Sequence, residues 1–377
     1  MSVEQILNKT GQRKLLALDG GGIRGIMTLE VLAKIESLLQ QALGRDDTFV
    51  LADYFDYIAG TSTGAIIATC LSLGKRVDFI RDFYIRSGAE MFDKARLLKR
   101  FRYRYEDDKL ADQLKAVIGP DTRLGSDQLK TLLLLIMRNA TTDSAWPVSN
   151  NPKAMFNLRV DAEGNLSREC NLELPLWQLV RASTAAPTFF PPEVVQVGNK
   201  EFIFVDGGVT PYNNPAFQLF LMATVEPYNL SWETGEDKML LVSIGTGITP
   251  GGKEDLEMNQ MNLIYNATSL PLALMNGVQL EQDFLCRVFG NCLAGDTLDY
   301  EVGDMIGKKG PVAQKLFTYV RYNAELVRDG LDKLDLKDIK PENVQQMDSV
   351  EHIPELRRIG KAIGEKKVRQ EHFAKFI

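Results

Sequence analysis

Four short apolar runs in this chain each stop in a turn built from glycine. Residues 14–18 run into Asp19 and three glycines, residues 54–59 into Gly60-Thr61-Ser62-Thr63-Gly64, residues 202–205 into Asp206-Gly207-Gly208, and residues 239–244 into Gly245-Thr246-Gly247. After the first turn, apolar residues recur at Ile26, Leu29, Leu32, Ala33 and Ile35, close to helical spacing. After the second, residues 65–73 are apolar on nearly every side, as a buried helix is, and Gly74 fits the helix end. Strands that alternate with helices in this way predict an α/β protein with a mostly parallel central sheet covered on both faces. Function in such sheets collects at the carboxyl ends of the strands, where Asp19, Ser62 and Asp206 all fall.

The chain has 377 residues, enough for a large domain over 1–310 followed by a charged, helical C-terminal extension over 311–377, with Pro341 and Pro354 as breaks. Residues 250–310 lose periodicity and read as an excursion over the sheet edge that covers the site. A net charge of −6 gives no global footprint for nucleic acid. Cys70, Cys170, Cys286 and Cys292 are scattered and the chain has only two histidines, so no zinc site is expected and the thiols read as free, in a reducing cytoplasm. The first residues carry an early acid and no sustained apolar stretch, unlike a secretory signal, and the longest aliphatic run, 132–137, is too short to span a bilayer. Lipid would therefore be met from the aqueous side.

Gly60-x-Ser62-x-Gly64 between a strand and a buried helix is a nucleophile elbow: the serine occupies a strained bend, the glycines let strand and helix pass closely, and the helix N-terminus faces the serine. Such a serine normally gives its proton to a histidine. Here only His352 and His372 exist, both in the charged tail. Either one reaches back, or a carboxylate acts as base, and Asp206 in its own strand-end turn is the candidate. Gly20, Gly21 and Gly22 offer an oxyanion hole, with the consecutive N–H groups of Gly21 and Gly22 bared by the lack of side chains and Arg24 adding positive charge or anchoring a phosphate. Gly20-x-Gly22-x-x-Gly25 also satisfies a dinucleotide fingerprint, so a nucleotide-sensing module using residues 20–25 is the alternative from another class. It lacks the acid expected at the end of the second strand, and no Gly-Lys-Ser/Thr follows that would make a P-loop.

The ordered set Asp19-Gly20-Gly21-Gly22-Ile23-Arg24-Gly25, Gly60-Thr61-Ser62-Thr63-Gly64, residues 182–192 (Ala-Ser-Thr-Ala-Ala-Pro-Thr-Phe-Phe-Pro-Pro) and Asp206-Gly207-Gly208 resembles the patatin-like phospholipases across roughly residues 14–250. The resemblance implies a three-layer α/β/α fold, a Ser62–Asp206 dyad, an oxyanion loop at Gly20–Gly22 with Arg24 beside it, and metal-free hydrolysis of the fatty-acyl esters of membrane phospholipid, with no cofactor. The family includes bacterial antiphage effectors that stay silent until a cyclic nucleotide binds, so such an activator enters as a partner, and homo-oligomers stay open. Two segments carry lipid-facing chemistry. Residues 94–105 interleave Lys and Arg with Leu, Phe and Tyr. In the tail, Leu356, Ile359, Ile363, Phe373, Phe376 and Ile377 make a stripe for the membrane, for the core or for a second subunit. Gly360 and Gly364 weaken the helix there.

Overall fold

The structure, a computed structural model, describes residues 2–92, 109–158, 169–187, 189–249 and 263–377. The basic and aromatic segment 94–105 and Thr188 of the 182–192 motif lie outside the described residues. Among the described residues nine strands form one sheet: β1 (Arg13–Leu18), β2 (Tyr57–Thr61), β3 (Leu132–Asn139), β4 (Ser144–Ser149), β5 (Glu193–Val197), β6 (Lys200–Asp206), β7 (Met239–Ile244), β8 (Asn291–Ala294) and β9 (Thr318–Tyr322). Six of them, in the order β3-β2-β1-β7-β9-β8, run parallel.

Alternation along the strands divides the core into two layers. Leu16, Leu18, Ile58, Leu133 and Leu135 face one side, where helices α1 (Gly25–Ala42), α2 (Thr63–Ser72), α3 (Leu176–Ser183) and the C-terminal helix pack. Leu15, Ala17, Tyr57, Ala59, Leu132 and Leu134 face the other, covered by α4 (Ala216–Thr224) and the last turns of α5 (Leu263–Phe289). The result is a three-layer α/β/α fold with a mostly parallel central sheet.

The placement of β6 is decided by β3. β2 occupies one edge of β3 along Leu132–Ile136, and β4 occupies the other along Leu134–Asn139. The edge left open at Met137–Asn139 is the one β2 has just vacated, and β6 takes it antiparallel. Thr61 ends β2 opposite Ile136, and Asp206 ends β6 opposite Met137. The two strands therefore meet head-on, carboxyl end to carboxyl end. Convergence of Ser62 and Asp206 arises from opposed directions and not, as the parallel pattern suggested, from two strands ending side by side.

Residues 250–310 differ from the irregular excursion expected of them: they contain α5, 27 residues long. Its polar inner residues, Asn276, Gln279 and Asp283, obscure the apolar period. Pro341 and Pro354 stand in the first turns of helices, where a missing N–H costs nothing, so they start helices instead of breaking them. Within 311–377, β9 enters the sheet between β7 and β8, and α6 (Ile353–Lys367) lies against α1. Leu356, Ile359, Ile363, Phe373 and Phe376 are buried in the core, so the tail stripe faces the protein's own interior except at Ile377, which is exposed. Its glycines belong to the helix because α1 passes too close for side chains: a Cβ on Gly360 would stand 2.6 Å from the Met27 carbonyl oxygen.

Two glycine substitutions should move stability in opposite directions. Gly277→Ala, in α5 with nothing within 4 Å of the added methyl, should gain about 0.5–1 kcal/mol from helix propensity. Gly360→Ala gains the same propensity but drives a methyl into backbone that cannot rotate away, a cost of about 1–3 kcal/mol, so it should lose stability. Urea unfolding at constant m-value measures both.

Candidate active site

Ser62 stands between β2 and α2 with φ 55° and ψ −123°, a left-handed backbone that a serine rarely adopts. The bend is sterically enforced. A Cβ on Gly60 would lie 2.1 Å from the Gly64 carbonyl oxygen, and one on Gly64 would lie 2.3 Å from that of Leu18. The Ser62 N–H donates to Ser183 Oγ at 3.0 Å, and the Ser183 hydroxyl donates to the Ile136 carbonyl at 2.5 Å, which ties the bend to α3 and β3. The first turn of α2, beginning at Thr63, presents its positive end to the serine.

The Ser62 hydroxyl donates to Asp206 Oδ2 at 2.6 Å. Asp206 Oδ1 accepts from the Gly208 N–H, also at 2.6 Å. Both side chains are buried. Desolvation pushes the Asp206 carboxyl up to about 6, although the hydrogen bonds from Ser62 and Gly208 pull the other way. Such a group is mostly ionised at neutral pH yet basic enough to take a proton from the hydroxyl it already touches.

The glycine loop lies alongside. A Cβ on Gly20 would be 3.1 Å from Ser62 Cβ and 2.4 Å from Asn213 Oδ1, and one on Gly21 would strike Thr246 at 2.2 Å. The Gly20 N–H donates to the Asn213 carbonyl (3.2 Å) and its carbonyl accepts from the Thr246 hydroxyl (2.7 Å). The Ile23 N–H donates to the Met347 carbonyl at 2.9 Å. Among the described residues, the N–H groups of Gly21 and Gly22 have no acceptor. Two adjacent unused donors beside a buried hydroxyl can receive a developing oxyanion.

Arg24 is buried with its guanidinium on the Gln345 carbonyl (3.1 Å), facing the C-terminal segment, and desolvation lowers it to about 10 while Asp19 opposes the shift. Asp19, the third strand-end acid, is not with Ser62 and Asp206. Its carboxylate is gripped bidentately by Arg321 (2.8 and 2.5 Å) and accepts from Gln279 Nε2 at 2.7 Å. Burial raises its pKa and Arg321 counters. The histidines are elsewhere: His372 Nδ1 is 2.8 Å from the Tyr322 hydroxyl and His352 Nδ1 is 3.1 Å from Glu355. Ser183, Asn213, Gln279 and Arg321 were not singled out in the sequence. Ser183 stood in a quoted motif, while Gln279 and Arg321 carried no local signal at all.

All four cysteines are buried thiols outside any disulfide among the described residues. Among the described residues no cluster of His, Cys, Asp and Glu could hold a metal ion, and no helix is long and apolar enough to cross a membrane.

The family model for patatin-like phospholipase matches residues 16–220, a stretch that holds Gly20–Gly22, Ser62 and Asp206. Patatin-T5 of Solanum tuberosum is 30% identical over 252 residues, 62% of this chain and 60% of that protein. Patatin-17 of Solanum cardiophyllum is 29% identical over the same length and shares. A protein of Vibrio cholerae serotype O1 named cGAMP-activated phospholipase is 27% identical over 217 residues, 55% of this chain and 56% of that protein. The chain thus spans about 60% of the length of the patatins it matches. With more than half of its residues inside the family model, the chain belongs to the patatin-like phospholipase family.

Proposed function

We propose that the protein is a serine acyl hydrolase cleaving the fatty-acyl esters of membrane phospholipids through a Ser62–Asp206 dyad. The observation that carries this reading is the 2.6 Å hydrogen bond from Ser62 to a buried carboxylate raised to about 6, next to the unused N–H groups of Gly21 and Gly22. Asp206 Oδ2 takes the hydroxyl proton as Ser62 Oγ attacks the ester carbonyl, and the oxyanion settles on the two amides. Collapse expels the lysolipid alkoxide, which takes the proton from Asp206. Water then adds to the acyl-enzyme, giving its proton to Asp206, and the fatty acid leaves as Ser62 is reprotonated. No step uses a histidine, a metal or a cofactor.

Control by a cyclic nucleotide is a second reading, supported by the printed name of the Vibrio cholerae relative. On this reading the protein is a regulated effector, with antiphage defence as its setting, acting from the cytoplasm at the membrane surface. A nucleotide held by residues 20–25 themselves would have to fit beside Asn213, Thr246 and Met347, which stand where side chains on Gly20, Gly21 and Gly22 would project. Purified protein nearly inactive alone and switched on by cyclic dinucleotides would support control, and full activity without addition would remove it.

Ser62→Ala and Asp206→Asn should each lower turnover of a phospholipid by about 10³-fold or more, measured as fatty acid released with mass-spectrometric identification. Near-normal release from Ser62→Ala would overturn the reading. His352→Ala/His372→Ala should leave turnover within a few-fold of the unchanged protein.

The pH dependence follows from Asp206. Turnover should rise through about pH 6 and stay level above it, because the base must be ionised. The stability contribution has the opposite slope. Between the ordinary carboxyl range near 4 and about 6 the folded protein keeps a proton that the unfolded chain releases, so this group destabilises progressively as pH rises through that window. Asp206→Asn should flatten that part of the denaturation profile.

A further inference from the structure

The two sides of α5 differ in a way that the catalytic reading does not use. One side is anchored: Asn276 donates to the Thr249 carbonyl (3.4 Å), Gln279 donates to Asp19 (2.7 Å) and accepts from Asn213 (3.3 Å), and Asp283 accepts from the Tyr319 hydroxyl of β9 (2.9 Å). These residues put the middle of the helix at the carboxyl ends of β1 and β7, beside the glycine loop. Lower down, Cys286 and Phe289 join the core on the sheet's face.

The opposite side carries Ala273, Leu274, Gly277, Leu280 and Phe284, a helical stripe with Glu281 as its one charge. Leu274 is 66% exposed, Leu280 36% and Phe284 38%. Gly277 has open space above it. The loop alongside is fastened to the same helix by Arg287, which donates to the carbonyls of Asp296 and Asp304, and it exposes Tyr300 and Ile306 followed by Lys308 and Lys309. Aliphatic and aromatic side chains with lysines at their margin are the chemistry of the boundary between headgroups and acyl chains.

We infer that this face of α5, with residues 300–309 beside it, is the surface by which the protein seats on a phospholipid bilayer. The inference rests on the reading of the chain as an enzyme of membrane phospholipid and adds where the membrane lies. A helix whose inner residue touches Asp19 and Asn213 brings whatever its outer residues enter to the side of the glycine loop. Lys308 and Lys309 are balanced by Glu281 and Glu301, all exposed, so attachment depends on apolar insertion. It is therefore only weakly sensitive to salt and to headgroup charge, unlike a polybasic patch.

The experiment is co-sedimentation of the full chain with phosphatidylcholine vesicles, with and without phosphatidylglycerol, at low and high salt, alongside turnover of a water-soluble short-chain ester. Leu274→Asp/Phe284→Asp should lower vesicle partitioning and hydrolysis of vesicle lipid by about tenfold or more while ester turnover is unchanged. Gly277→Trp, which adds an apolar side chain where there is room, should raise partitioning about tenfold and bring a blue-shifted emission on vesicles. Unchanged partitioning in both variants would overturn the assignment. So would a wild-type dimer that Leu274→Asp splits, since the face would then be a subunit interface. Failure to turn over the soluble ester would count against the acyl hydrolase reading alone, with vesicle partitioning still deciding this one.

Discussion

The contact between Ser62 and Asp206 exists because β3 outruns β2. The last three residues of β3, Met137–Asn139, extend beyond the point where β2 turns into the elbow, and β6 takes that vacated edge from the opposite direction. Ser62 and Asp206 are the first residue past one strand and the last of the other, so a 2.6 Å hydrogen bond needs no long side chain to reach across. The join is tight: a Cβ on Gly207 would lie 2.3 Å from the Ile136 carbonyl oxygen. A one-residue slip of β6 would turn Asp206 to the other face of the sheet. Ser183, held on α3, fixes the same spot from above by bonding both the Ser62 amide and the Ile136 carbonyl.

Two buried carboxylates sit at this end of the sheet, and their partners set them apart. Asp19 meets a guanidinium in bidentate geometry, and the attraction opposes the desolvation that would protonate it. Asp206 is met by a hydroxyl and one amide, and desolvation raises its affinity for a proton to about 6. Burial raises both carboxyls, but Asp19 is tied to Arg321 and Gln279 in a structural ion pair while Asp206 touches the Ser62 hydroxyl, the one position from which a proton can be exchanged with the nucleophile.

What could be read from the sequence was what local sterics dictate. Gly60 and Gly64 announce a close strand-to-helix passage because no other residue fits there, and the buried helix after them follows from its unbroken apolar content. The direction of β6 was not legible, since an apolar run ending in Asp-Gly-Gly reads the same in a parallel or an antiparallel strand. α5 was missed because it is anchored through polar residues whose partners lie hundreds of positions away, as Gln279 is to Asp19. At Gly360 propensity argued against helix, but the close crossing of α6 over α1 requires a residue without a side chain, and packing outweighed propensity.

The glycine loop is fastened mainly by residues beyond the stretch that the family model matches. Thr246 holds the Gly20 carbonyl, Met347 the Ile23 amide and Gln345 the Arg24 guanidinium, while Arg321 and Gln279 hold Asp19. Leaving one member of a buried pair such as Asp19–Arg321 uncompensated costs about 3–5 kcal/mol, against a total stability of about 5–15 kcal/mol for a typical domain. Residues 16–220 alone would lack every one of these contacts with the loop. β9 holds Asp19 through Arg321, and Gln345 and Met347 hold Arg24 and the Ile23 amide, so a change in the C-terminal segment reaches the residues next to the Gly21 and Gly22 amides.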